Sequence, residues 1–356
     1  MKILTVIGAR PQFIKAASLS KEFKVRKIEE IIVHTGQHFD SNMSDIFFSE
    51  LSIPLPKYNL NIHSVSHGVM VGRMLEELEA IMVTEKPSWV IVYGDTNSTL
   101  AGALAAKKLG IKIAHIEAGL RSFNEVMPEE TNRILTDRIS DLLLCPSDAA
   151  VRNLEKEGYN YMPNKRVVVT GDIMYDSVKL FSDNQISLSR DNNKLPYIMA
   201  TVHRAENTND PKRLSSIFNA LEKLAEQYVI KIVLHPRTKL KLKEFSISVS
   251  SKIHIVDPLS YFENLSLLNE ATILLTDSGG MQKEAYFLKK KCVTLRDETE
   301  WTELIELGCN VLAGADAGSI LSAVDDILSA EPDFSREIYG NGKSRVLIVN
   351  HLLNEQ

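Results

Sequence analysis

Cysteine is scarce. The 356 residues hold three, Cys145, Cys292 and Cys309, an odd number with no C-x-x-C spacing. That argues against a disulfide framework and a zinc cage, and it fits a reducing cytoplasm, where the chain is expected to work. Surplus positive charge is missing too. With a formal net charge of -5 there is no broad cationic surface for nucleic acid or acidic lipid, so any polyanion bound must be small and held locally. No apolar run approaches the roughly 20 residues that a membrane span requires. The first one stops at Gly8, too soon for the apolar region of a signal peptide. His34, His38, His115, His203 and His235 show no H-x-H or H-x-x-x-H spacing and read as hydrogen-bonding groups, with no metal expected. Also absent is G-x-G-x-x-G. The first loop is Gly8-Ala9-Arg10-Pro11-Gln12, and the second strand, "IIVHTGQ", ends without a ribose-binding acid, which disfavours a nicotinamide cofactor.

What is present is alternation. "KILTVIG", "EEIIVHTG", "SWVIVYGD", "KIAHIEAG" and "DLLLCPS" are followed by "RVVVTGD", "YIMATVHR", "IKIVLHP", "KIHIVDP", "TILLTDSGG" and "KKCVTLRD", with helical patterns between them. This predicts an α/β protein with parallel sheets covered by helices on both faces. The length predicts two domains of similar size. A polar segment, "DNQISLSRDNNKLP", reads as their connection, and the final "SRVLIVNHLLNEQ" as a helix capping either one. Most strands end in a polar tip, where ligands of open α/β sheets bind.

Three groups of residues at such tips invite chemistry. In "ILLTDSGGMQKEA" a buried strand runs into Ser278, Gly279 and Gly280 at a helix start, where backbone N–H groups and the helix dipole would hold a phosphate or diphosphate. A plain turn capped by Asp277 or Ser278 is the alternative. One turn on, Glu284 has the reach to accept from a ribose, or simply faces solvent. The second group is acidic: Asp95 and Glu117 follow apolar strands, and Glu129 follows Pro128. Several acids together suggest proton transfer. Singly, each is as well explained by a cap or an ion pair. The third group is cationic and comes from both halves: Arg10, Lys15, His203 with Arg204, and Arg296.

Taken in order, "GARPQFIK", "TGQH", "GDTNSTLAG", "HIEAGLRS", "MPEETNR", "TGD", "DSGGMQKEA" and "LRDETE" resemble the non-hydrolysing UDP-N-acetylglucosamine 2-epimerases across nearly the whole chain. The resemblance implies two Rossmann-like domains facing across a cleft in the glycosyltransferase-B arrangement. It places the first domain at 1–172, with 337–356 packing back on it, and the second at 173–336. It implies a homodimer and inversion at C2 of a UDP-linked 2-acetamido sugar with no cofactor, serving surface polysaccharide synthesis. Carried over residue by residue, it puts Arg10 and Lys15 at the sugar diphosphate and Asp95, Glu117 and Glu129 around C2. His203 and Arg296 reach the substrate from the second domain, Ser278, Gly279 and Gly280 hold phosphate, and Glu284 meets the ribose.

Two departures stand out: Gln12 where many members have Glu, and Trp301-Thr302 where they have Arg-Pro. These variants look more like the branch acting on UDP-2,3-diacetamido-2,3-dideoxyglucuronic acid. Loss of a carboxylate at position 12 would suit a substrate that is itself a carboxylate. "TGQHFD" is similar to the segment through which some members bind UDP-N-acetylglucosamine as an allosteric activator. A glycosyltransferase of the same fold is the competing reading, with less reason to assemble the acids of the first domain.

Overall fold

The computed structural model describes residues 1–37, 48, 50–185 and 195–354, and the chain divides into two compact units. The first comprises Met1–Leu180 and Glu337–Gln356, the second Phe181–Arg336. The helix Ile173–Gln185 runs into the polar segment expected as a connection, and 186–194 lie outside the described residues.

In the first unit β1 (Lys2–Ile7), β2 (Glu29–His34), β3 (Tyr58–Asn59), β4 (Trp89–Tyr93), β5 (Lys112–Ile116), β6 (Leu142–Cys145) and β7 (Arg166–Val169) form one parallel sheet. Their order is β3-β2-β1-β4-β5-β6-β7. The second unit has β8 (Tyr197–Thr201), β9 (Val229–Val233), β10 (Ile253–Val256), β11 (Ile273–Thr276), β12 (Lys291–Thr294) and β13 (Asn310–Leu312), all parallel, in the order β10-β9-β8-β11-β12-β13. The expected α/β class and its parallel sheets are thus what forms. Central strands such as β4 and β11 are buried along their whole length, as strands covered on both faces must be.

Helices supply that cover through apolar residues at helical spacing. In the first unit Met74 and Leu78 of His67–Glu85, with Ala101 and Ala105 of Asn97–Lys108, join Val6, Val33, Val90 and Val92 in one core. In the second, Leu214, Phe218 and Leu221 of Pro211–Leu224 and Ile320 and Val324 of Ala317–Ser329 meet strand residues Ile198, Ile232 and Leu275. Each fully buried Leu, Ile, Val, Met or Phe side chain among them contributes about 1.5–3 kcal/mol. The last helix, Ser344–Leu353, starts on a buried acid: Asp176 accepts from the backbone of Ser344 (2.9 Å) and Arg345 (3.1 Å) and from Arg345 Nη1 (3.0 Å).

In each sheet the strand order reverses once, between β1 and β4 and between β8 and β11. In such sheets the loops that leave the reversal point run to opposite faces, and the crevice beyond the strand ends is the usual ligand position. The residues just past β1, β4, β8 and β11 are therefore the ones to inspect.

Candidate active site

The loop after β1 is built to turn, and its amides are already used. A side chain on Gly8 would start 2.0 Å from Thr35 Oγ1, so only glycine fits. Gln12 then folds back as a cap, its Oε1 accepting from the N–H of Gly8 (2.8 Å) and Ala9 (3.1 Å). Its Nε2 donates to the Tyr93 carbonyl (2.9 Å) and faces the hydroxyls of Thr96 (2.9 Å) and Thr99 (3.0 Å). These two N–H groups, which a dinucleotide fold would offer to a pyrophosphate, are thus held by the protein's own amide. Gln12 is 1% exposed, so its work is to tie the β1 loop to the β4 loop. That differs from the sugar-selecting role inferred from its missing charge.

Past β4 and β5 the acids meet cations. Lys15 points from the first helix turns to Glu117, and its Nζ donates to Oε2. Glu117 has φ +73°, a left-handed conformation that is costly for a residue with a side chain and is found where a site holds a group in a required direction. Beside it Gly94, also left-handed at φ +64°, leaves the room the pair needs. Asp95 accepts from Arg133 Nη2, while Arg133 Nη1 donates to Glu130 at 2.6 Å. Glu130 also accepts from the backbone of Ser122 (2.9 Å) and Phe123 (3.0 Å), which makes it the brace of this loop. Its neighbour Glu129 is half-buried in the first turn of the helix Pro128–Ile139, with no side-chain hydrogen bond among the described residues. Arg10, the first residue of its helix, is half-buried as well.

In the second unit the two switch-point loops are joined by one carboxylate. Asp277, fully buried after β11, accepts from the backbone N–H of His203 (3.0 Å) and Arg204 (2.9 Å) and from Asn207 Nδ2 (3.2 Å). The His203 ring lies 3.2 Å from Asp277 and is 40% exposed, fixed on one side and accessible on the other. Ser278 caps the helix Gly279–Phe287, its Oγ accepting from Met281 N at 3.4 Å. A β-carbon on Gly279 would sit 2.5 Å from Glu300 Oε1, so the Glu300 carboxylate lies against the helix N-terminus. Gly280 is half-buried in the same first turn, and Glu284, one turn on, is buried.

Arg296 is fully buried and does not itself present surface. Its Nη1 donates to Glu300 Oε2 at 3.0 Å, and its Nε and Nη2 have no hydrogen-bond acceptor among the described residues. Trp301 is buried too, with Lys283 Nζ 4.0 Å above its ring centre.

A family model described as UDP-N-acetylglucosamine 2-epimerase matches residues 21–353. The chain belongs to that family. It is a UDP-sugar 2-epimerase, a carbohydrate isomerase. It is 50% identical, over 99% of both chains, to the UDP-2,3-diacetamido-2,3-dideoxy-D-glucuronate 2-epimerase of Pseudomonas aeruginosa. The UDP-GlcNAc 2-epimerase of Methanocaldococcus jannaschii, solved in complex with UDP-GlcNAc and UDP, superposes with a TM-score of 0.92 at 41% identity, covering 99% of this chain and 100% of that one. The Neisseria meningitidis enzyme bound to UDP-GlcNAc gives 0.89 at 30% identity, covering 99% and 100%. The fold is of the glycosyltransferase-B type.

Beside Glu130, which stands with Glu129 among the acids of "MPEETNRILTD", the epimerase contains two partners that no strand tip marks, Arg133 and Asp137. Glu130, Arg133 and Asp137 lie three and four residues apart and so share one face of their helix. All three are buried, against the usual rule that a charged stripe faces water. The spacing was a signal; the direction it faced was not. No helix among the described residues is long and apolar enough to cross a membrane. Among them no group of three or more His, Cys, Asp or Glu is placed to hold a metal ion. The "TGQHFD" segment lies outside the described residues from His38 onward.

Proposed function

We propose that the chain inverts C2 of a UDP-linked 2-acetamido sugar by eliminating UDP and adding it back. A C2 proton of a glycosyl diphosphate has no neighbouring carbonyl to acidify it. Breaking the C1–O bond first, with the electron pair leaving on UDP, puts cationic character at C1 and makes C2–H acidic. A carboxylate takes that proton to give a 2-acetamidoglucal. A second acid then protonates the opposite face of C2 as UDP re-adds at C1, so atoms balance and no redox partner is needed.

The observation that carries this reading is the pairing of Lys15 with Glu117 beside that of Arg133 with Asp95, two carboxylates each set against a cation at adjoining strand ends. In this reading Asp95, Glu117 and Glu129 serve the proton transfers and the Ser278-Gly279-Gly280 turn binds the diphosphate, where a helix dipole stabilises the leaving charge. Arg10 and Arg296 add positive potential, His203 contacts the substrate, and Glu284 serves the ribose.

The sugar we propose is the diacetamidouronate. Support comes from 50% identity to the Pseudomonas aeruginosa enzyme of that name and from Trp301, packed on Lys283, at one of the two departures. We further propose a cytoplasmic homodimer supplying a surface polysaccharide precursor. The test is incubation in D2O with each UDP-sugar, following C2–H by NMR. Deuterium at C2 with an inverted product and no acceptor is expected, faster with the uronate. No exchange with either sugar overturns the epimerase reading, and transfer to an added acceptor would favour the glycosyltransferase instead.

A further inference from the structure

Near the two carboxylates lies a buried pair, Asp137 and His115, of which the sequence marks His115 as a hydrogen-bonding group. His115 is the fourth of the five residues of β5, with no exposed surface, and its two ring nitrogens face two acceptors. Nδ1 lies 2.7 Å from Asp137 Oδ1 and Nε2 lies 2.7 Å from the Gly94 carbonyl oxygen. A carbonyl only accepts, so Nε2 carries hydrogen. Burial raises the Asp137 pKa, but the opposing pull of His115 and Arg121 is larger and holds it below the ordinary carboxylate value. Nδ1 is tied to Asp137 Oδ1, so both ring nitrogens are engaged.

The other oxygen of Asp137 is equally occupied. Oδ2 accepts from Gly119 N (3.1 Å) and from Arg121 Nη1 (2.7 Å), and Arg121 in turn forks onto Glu157 at 2.6 and 2.7 Å. Charge alternates along Asp137, Arg121 and Glu157. Cys145 on β6, Tyr159 and Lys165 also feel the Asp137 charge: burial raises the pKa of the thiol and the phenol and lowers that of Lys165 to about 8.

The connections have a direction. Through His115, Asp137 fixes the Gly94 carbonyl, and Gly94 N is tied to the Ile116 carbonyl at 2.9 Å, so the peptide leading into Asp95 is held at both ends. Through Gly119 N the same carboxylate fixes the far side of the turn that carries Glu117 in its left-handed conformation. We propose that Asp137 and His115 are positioning residues that set the distance between Asp95 and Glu117. This rests on the epimerase reading above and deepens it. Neither residue touches substrate.

The test uses the full chain. In wild type, nitrogen-resolved NMR of labelled histidine, assigned by comparison with a His115→Gln variant, should show hydrogen on Nε2 of His115. A ring with no hydrogen on Nε2 overturns the proposal, whether or not any variant folds. In kinetics, Asp137→Asn keeps the shape but removes the charge and one acceptor. We expect kcat to fall about 100-fold, as for a misplacement near 1 Å, with KM changed less than about threefold. Asp137→Glu should recover part of the loss. A folded Asp137→Asn variant with unchanged kcat overturns the proposal. Should wild type itself exchange no C2 hydrogen, the epimerase reading fails, and the NMR result still decides the state of the pair.

Discussion

The β-carbon that Gly94 lacks would lie 3.2 Å from Oε2 of Glu117 and 3.6 Å from Lys15 Nζ. The smallest residue in the β4 loop is thus what lets a buried cation and a buried carboxylate meet behind Asp95. Gly94→Ala adds that carbon at φ +64°. The conformation alone costs about 1–2 kcal/mol. The displaced carboxylate should cost more in rate than in stability, with kcat down about 100-fold. Paired thermal melts and C2–H exchange rates check both parts. A variant with normal kcat would show that the approach of Glu117 to Lys15 is not needed for turnover.

Removing one member of that pair should separate folding from catalysis. Both side chains are nearly buried, so Lys15→Met strands a carboxylate and should destabilise by about 3 kcal/mol. Adding Glu117→Gln removes the stranded charge, and most of the stability should return. Activity should not if Glu117 transfers the proton, as proposed. Denaturation midpoints and exchange rates of the two single variants and the double variant complete the cycle. If activity returned with stability, Glu117 would be structural.

The positions of these groups were readable in the sequence because chemistry collects at strand ends. Asp95, Glu117, His203 and Ser278 each follow an apolar run, and each run is a strand. What could not be read was the crossover. Alternating strands and helices leave the order open, and it is the run β1-β4-β5 and the adjacency of β8 with β11 that make neighbours of Lys15 and Glu117, and of His203 and Asp277. The strands Tyr58–Asn59 and Asn310–Leu312 are too short to show a period. Glu117 carries no local sign of a left-handed backbone, since only glycine or asparagine would advertise one. Arg296 follows a buried strand, as expected, but the structure encloses it behind Glu300.

Gln12 yields the prediction in which structure and sequence reading part most clearly. If its missing charge selected the sugar, Gln12→Glu would alter the preference between the uronate and UDP-N-acetylglucosamine. The structure instead has Nε2 donating to the Tyr93 carbonyl, a bond that a carboxylate oxygen cannot make. Gln12→Glu should therefore destabilise by about 1–3 kcal/mol. It should slow both sugars alike, leaving the ratio of their kcat/KM values within about threefold. Competition kinetics with the two sugars measures that ratio directly. A large shift toward UDP-N-acetylglucosamine would restore the selective role.

Far from these residues, Glu85 offers a test of the fold by pH. Its Oε1 accepts from Lys57 Nζ and Tyr58 OH, each at 2.6 Å, and Lys2 Nζ lies 3.4 Å from Oε2. The bond from Lys57, then that from Tyr58, holds the Glu85 pKa at about 2, against an ordinary 4.5. A carboxylate whose pKa is depressed by folding binds its proton more readily when unfolded. Its contribution is therefore complete above the unfolded value and lost as pH falls toward the folded one. Glu85→Gln should lower the denaturation midpoint at neutral pH, with the gap to wild type narrowing below 4.5 and closing near 2. Chemical denaturation of both proteins across that range gives the curve. A gap independent of pH would mean that Glu85 stabilises the β2–β3 edge by packing and not by charge.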